Sequence, residues 1–347
     1  MLDDLNMIVR RDPQNALLAA SEQWKQTKFN AEIINPEHDN REIKNIIIAG
    51  MGGSALAALI IKKWLALDIY QPLEIVRDYN LPKSTTTNTL VIANSYSGNT
   101  EETIAALNQA QQIGAQLATI SAHGKLEQIA KSHDIAHIKL PQGLQPRMAV
   151  FYNLRALVKI LVNFGIITED KYQEIARSAN FLHQEIEHWL PSNPSQNNLA
   201  KQLALYSAGR SAVFLSSSDF SPVAYKWKIS WNENAKNVSF WNEYPEFNHN
   251  EFIGWSSHPI EKLFVIFNLR SSFDDPRIIK RFDISDHLLS GKRPAARNIE
   301  LRGATPLEQM LWGSVLADFV SIYLAILNGV DPTPVDLIEK LKVELVK

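Results

Sequence analysis

The chain has no cysteine among its 347 residues, which excludes disulfide staples, thiolate metal sites and a cysteine nucleophile. It has no excess charge of either sign: Lys+Arg 35 against Asp+Glu 37 leaves a net charge of −2. No global field then draws it to nucleic acid or to an acidic membrane, so an anionic ligand needs a local device to hold it. No uninterrupted apolar run approaches the ~18 residues of a membrane span, and MLDDLNMIVRRDPQ carries no apolar signal core. Together these absences read as a soluble, cytoplasmic protein with no nucleic-acid or membrane partner. What remains is an ordinary globular balance, 45% hydrophobic and 21% charged. At ~100–200 residues per domain, the length fits two domains.

The hydrophobic pattern is that of strands alternating with helices. Residues 14–27 place Leu17, Leu18 and Trp24 on one helical face. Asn45-Ile-Ile-Ile-Ala49 is a compact apolar run that meets Gly50, and SALAALIIKKWL follows with helical period. A second unit repeats the plan, with a strand at 89–93, a loop at 94–100 and a helix closing at Gly114. Further strands are expected at 116–120 and 134–140, with helices over most of 150–190. PSNPSQNN, residues 191–198, clusters turn formers and is the linker candidate. Beyond it the alternation resumes, with strands at 212–215, 263–267 and 296–301. A long helix from about 306 to 328 is interrupted by Glu308, Gln309 and Asp318, which marks it as buried rather than membrane-spanning. Strands that are apolar throughout imply parallel sheets covered on both faces, an α/β fold.

Two loops follow candidate strands and precede helices. Gly50-Met-Gly-Gly-Ser54 permits a tight turn at a helix N-terminus, where backbone N–H groups and the helix dipole favour an anion. Ser95-Tyr-Ser-Gly-Asn-Thr100 offers three aliphatic hydroxyls, and Thr100 also fits a helix cap. Either loop alone is weak evidence, since some such loops are merely tight turns; two in adjacent units, both bearing hydroxyls, point to a phosphate pocket. The Walker pattern is absent. A dinucleotide fingerprint is half present: Ala55 stands at its third glycine, while Asp68 and Glu74 fall in the region of its acidic residue, so a dinucleotide stays a minor alternative. Hydroxyl-rich loops without a dedicated lysine suit a phosphomonoester. In the second half, Trp231-Asn-Glu-Asn-Ala-Lys236 and Asn242-Glu-Tyr-Pro-Glu-Phe-Asn-His-Asn-Glu251 are the densest polar stretches. Each reads as a solvated helix end, or, taken together, as an acid/base pair in Glu233 and His249. A metal site at His249 and Glu251 is a poor fit, since residues two apart on a helix diverge. The other eight histidines, His258 among them, are scattered.

GMGGSA, SYSGNTEET, QPRMA (145–149), NENAK, EFNHNE and GVDPTPVDLIEKLK occur in this order. In that set the chain resembles the bifunctional phosphoglucose/phosphomannose isomerases, over roughly residues 40 to 345. SYSGNT alone marks only sugar-isomerase (SIS) domains in general. The resemblance implies two SIS-type doubly wound domains with mainly parallel sheets flanked by helices. They are expected over 1–190, with the phosphate-binding loops, and 191–347, with the catalytic Glu and His. It implies interconversion of glucose 6-phosphate and mannose 6-phosphate with fructose 6-phosphate, without metal or organic cofactor. Gly52, Gly53, Ser54, Ser95, Ser97 and Thr100 would bind the phosphate, and Thr333 would leave room for the mannose epimer. Glu233 would be the base and Arg147 the cation at the enediolate. His249 would open the ring from the partner subunit of a homodimer. Lys340, or alternatively Lys342, would assist. FLSSSDFSP in the second domain lacks a glycine turn, so a second phosphate site there is expected to be vestigial. A non-catalytic SIS-type sensor of a sugar phosphate is the rival reading, and it would not need Glu233, Arg147 and His249.

Overall fold

A strand such as Asn45–Ala49 has no polar face to show to water, so it must lie inside a sheet with both sides covered. The computed structural model, which describes residues 1–257 and 262–345 and therefore not His258, has this arrangement twice. The chain divides into one unit formed by Glu22–Phe181 and another formed by Met1–Ser21 with Leu182–Lys347.

In the Glu22–Phe181 unit the strands are β1 (Ile33–Ile34), β2 (Asn45–Ala49), β3 (Leu73–Val76), β4 (Thr89–Asn94), β5 (Gln116–Ser121) and β6 (Ala136–Lys139). They lie in the order β1-β6-β5-β4-β2-β3, parallel except for the short β1. Every residue of β4, in mid-sheet, is buried. One face, through Ile47, Ala49 and Val91, packs on Ala106 and Ala110 of the Glu101–Ile113 helix. The Gly52–Trp64 and Val150–Asn163 helices pack together. The alternation of side chains along each strand sends Ile46, Ile48 and Ile92 to the opposite face from Ile47 and Val91.

The second unit holds β7 (Ser211–Ser217), β8 (Ser239–Tyr244), β9 (Phe264–Arg270) and β10 (Ala296–Glu300), all parallel, in the order β10-β9-β7-β8. Matched in chain order, this is the β5-β4-β2-β3 order of the first sheet, so the two halves share a topology as well as an alternation. On one face Val213, Leu215 and Ile266 pack with Tyr244, Phe247, Trp255 and Phe282. On the other, Trp227 and Trp231 of the Ser221–Glu233 helix stack at 6.1 Å and both meet Phe214 and Phe267. The Pro306–Asn328 helix packs behind them. It is long and apolar enough to cross a membrane, yet 94% of its most apolar window is buried in the unit as a core helix. Thr305 caps its start, accepting from Glu308 N, and Gly329 ends it in the left-handed region at φ 74°.

Several boundaries differ from those expected. The helix over 14–27 is broken into Ala16–Ser21 and Gln23–Gln26. The compact division also departs from a cut at 190/191, because Met1–Ser21 packs with the second unit. Asp12 accepts from Ala16 N at 2.7 Å and Leu17 N at 2.9 Å, and Arg11 Nη1 donates to Ile326 O at 2.5 Å. Trp189 belongs there too, touching Trp312 and Phe319 and accepting from Tyr323 at its carbonyl.

Candidate active site

The parallel register of β2 and β4, with Ala49 opposite Ala93, brings the two glycine- and serine-rich loops to the same edge of the sheet. They are bonded to each other: Tyr96 N donates to Ser54 Oγ at 3.1 Å, and Asn94 Nδ2 donates to Ser54 O at 3.1 Å. Inside the second loop, Ser95 Oγ lies 2.8 Å from Thr100 Oγ1 and 3.4 Å from Ser97 Oγ, and accepts from Gly98 N at 3.2 Å. Thr100 stands at the N-cap of the Glu101–Ile113 helix, but its side chain makes no cap bond. Its hydroxyl turns to Ser95 instead. The Gly52–Trp64 helix likewise has no side-chain cap. Helix starts left in this way offer their first N–H groups to water or to an anion.

Two glycines explain how tightly the cradle is built. Gly98 has φ +67°, and a Cβ there would come 1.7 Å from His123 O, so only glycine fits beneath the neighbouring loop. A Cβ on Gly53 would come 2.5 Å from Pro146 O and 3.1 Å from Arg147 Cα. The missing side chain of Gly53 thus admits the Pro146–Met148 turn against the start of the Gly52–Trp64 helix. Arg147 arrives there 2% exposed, with Nη1 3.4 Å from Gln145 Oε1. This unit therefore gathers Gly52, Gly53, Ser54, Ser95, Ser97, Thr100 and Arg147. Asn94 and Asn99, not singled out in the sequence, complete the frame; Asn99 Oδ1 accepts from Lys125 N at 3.0 Å, tying the second loop to the next helix.

In the second unit Glu233 is the last residue of the Ser221–Glu233 helix and is half-buried. Three residues on, Lys236 takes a left-handed backbone at φ 51°. Its Nζ donates to Glu233 O at 2.8 Å and to Pro332 O at 3.0 Å. The turn carrying Thr333, whose N–H donates to Asp331 Oδ1, is thereby held at the end of the Glu233 helix. His249 is exposed, on the Glu246–His249 turn after the cis Tyr244–Pro245 bond. That turn is clamped from the Pro276–Leu288 helix: Asn248 donates to Ser285 Oγ at 2.8 Å and accepts from Arg281 Nη1 at 3.1 Å. Glu251 accepts from Asn242 and Trp255 through its two oxygens, which makes it a brace for the turn. Lys340 and Lys342 lie on the exposed Asp336–Leu345 helix, and Lys342 pairs with Glu339 at 2.7 Å. The loop after β9, which matches Ser95–Thr100 in topology, is filled by a carboxylate: buried Asp274 accepts from Ser271 N at 2.9 Å. Burial pushes Asp274 above the usual carboxylate range.

Residues 41–156 match the SIS domain family, and residues 196–345 match the bacterial phospho-glucose isomerase C-terminal SIS domain. A bifunctional phosphoglucose/phosphomannose isomerase from Caldicellulosiruptor bescii is 36% identical over 306 residues, 88% of this chain and 90% of that one. Its namesake from Thermoplasma acidophilum is 32% identical over 298 residues, 86% of this chain and 88% of that one. In structure, a glucose-6-phosphate isomerase like protein from Thermus thermophilus matches with a TM-score of 0.64 at 18% identity, covering 98% of each chain. That likeness speaks for the fold alone. The matched segments fall on the two sheets described above, and the identity runs through both: the chain belongs to the bifunctional phosphoglucose/phosphomannose isomerase family.

Proposed function

We propose that this chain is an aldose–ketose isomerase that interconverts glucose 6-phosphate and mannose 6-phosphate with fructose 6-phosphate. The observation that carries the reading is the cradle in the Glu22–Phe181 unit, where two bonded Ser/Gly loops and uncapped helix starts meet a buried arginine. In a chain of near-zero net charge, such a cradle is the local device an anion requires. Gly52, Gly53, Ser54, Ser95, Ser97 and Thr100 would take the phosphate by hydroxyl and backbone N–H.

The chemistry assigned to the remaining residues is proton transfer between adjacent carbons. In the aldose-to-ketose direction Glu233 takes the C2 proton, and the electrons of that C–H bond form the C1–C2 double bond. Charge moves to the C1 oxygen, where Arg147 stabilises it only as it develops. The proton on O2 passes to O1, and Glu233 returns its proton to C1. Returning a proton to either face of C2 in reverse gives the two aldose epimers, with Thr333 leaving room for mannose. His249, exposed on its turn, would open the sugar ring from the partner subunit of a homodimer, assisted by Lys340. The setting would be the cytoplasm, where phosphorylated hexoses are held by their charge.

The test is a coupled assay with fructose 6-phosphate in the presence of EDTA. Formation of both aldose phosphates is the expected result. Saturable binding without turnover would replace this reading with that of a sugar-phosphate sensor, and loss of activity on chelation would overturn the metal-free route.

A further inference from the structure

The helix that ends in Glu233 meets the Pro306–Asn328 helix through a stripe of polar contacts set among buried apolar side chains. Lys226 Nζ lies 2.7 Å from Asp318 Oδ1, and the two side chains are 1% and 0% exposed. Ser230 Oγ donates to the same oxygen at 2.8 Å. Asn234 Nδ2 donates to Ser321 Oγ at 2.9 Å, and Ser321 Oγ donates back to Asp318 O at 3.0 Å. Residues 226, 230 and 234 stand four apart, so they form one row along the helix, and that row runs past Glu233. On the adjoining row Trp227 Nε1 donates to Gly313 O at 2.9 Å.

A fully buried ion pair is a poor source of stability, because apolar side chains of similar size serve as well or better. What it does supply is a unique alignment. A slide by one residue, ~1.5 Å of rise with ~100° of rotation, would separate Lys226 from Asp318 and strand both charges in the core. A purely apolar contact would tolerate small slides and rolls. A general base does not, since a displacement of ~1 Å at the reacting atoms can cost about 100-fold in rate.

We propose that Asp318 and Lys226, with Ser230, Asn234 and Ser321, are positioning residues that set the axial register and rotation of the Glu233 helix. The inference rests on the reading of Glu233 as the base. It also explains why an aspartate interrupts the long apolar Pro306–Asn328 helix.

The test replaces the pair by an apolar one, Lys226→Met with Asp318→Leu, in the full chain. Thermal unfolding within a few degrees of wild type and an unchanged KM for fructose 6-phosphate are expected, with kcat lowered about tenfold or more. A folded double variant with wild-type kcat overturns the proposal. If the double variant does not fold, Ser321→Ala removes one rung without altering the Glu233 helix; lowered kcat at unchanged KM supports the proposal, and full kcat overturns it. Glu233→Gln is run alongside. A wild-type protein that does not isomerise, or a Glu233→Gln variant that turns over normally, removes the underlying reading. Full kcat in the folded double variant, with Glu233→Gln inactive, removes the positioning role alone.

Discussion

Lys236 joins Glu233 to Pro332: one ammonium group donates to the backbone carbonyls of both, at 2.8 Å and 3.0 Å. The Lys236 side chain thus ties the end of the helix bearing the proposed base to the turn bearing Thr333. Lys236→Met removes both bonds. We expect a stability loss of about 1–2 kcal/mol, a lower kcat, and a changed ratio of mannose to glucose phosphate formed. Product analysis from fructose 6-phosphate checks this; an unchanged ratio at unchanged kcat would separate Lys236 from both groups.

Gly53→Ala places a Cβ where Pro146 O lies 2.5 Å away. Backbone cannot yield as a flexible side chain can, so the turn carrying Arg147 must shift. The expected cost is about 1–3 kcal/mol in stability, with kcat/KM falling about tenfold or more. Unfolding and steady-state measurements on the same preparation read both. A variant of normal activity would mean that Arg147 need not approach the helix start so closely.

Ser95→Ala removes the hydroxyl that meets Thr100 and Ser97 and accepts from Gly98 N. If this loop holds phosphate, KM for each hexose phosphate should rise by about tenfold while kcat changes less. The loss in folding stability should stay at about 0.5–1.5 kcal/mol. Inorganic phosphate as a competitive inhibitor gives an independent reading, and its inhibition constant should rise in step with KM.

His137 is buried on β6, with Nδ1 2.8 Å from Thr119 Oγ1, and burial pushes its pKa below the ordinary imidazole value. The unfolded chain therefore binds the proton more readily than the folded one. The stabilising contribution is present above the unfolded value of about 6.5 and is lost as pH falls through it toward the lower folded value. Unfolding measured at falling pH should show this loss in the wild type, and a His137→Gln variant should show a shallower slope.

How much of this was legible in the sequence follows from how local each feature is. Asn45–Ala49 and Thr89–Asn94 are buried strands whose apolar runs announce them. Two strands at sheet edges do not: Leu73–Val76 and Ser239–Tyr244 are partly exposed and carry polar residues, and SFWNEY reads as a polar stretch before it reads as a strand. Ser95, Ser97 and Thr100 stand within six residues, so their convergence was visible from spacing. The fit of Arg147 against Gly53 joins positions far apart in the chain, as does Lys226 against Asp318. Asp318 could be read only as an interruption of an apolar helix. The bond from Arg11 to Ile326, which helps place the N-terminal arm with the second unit, left no local trace at all.

The central claim is that Glu233 carries a proton between C1 and C2. Running the reaction from fructose 6-phosphate in D2O and locating the label by NMR tests it most directly. The account predicts both glucose 6-phosphate and mannose 6-phosphate, with hydrogen carried over from C1 at C2 and deuterium there in the turnovers in which the proton held by Glu233 exchanges with solvent, and neither product nor label with Glu233→Gln. Isomerisation, or label introduced, at the wild-type rate by Glu233→Gln would contradict it.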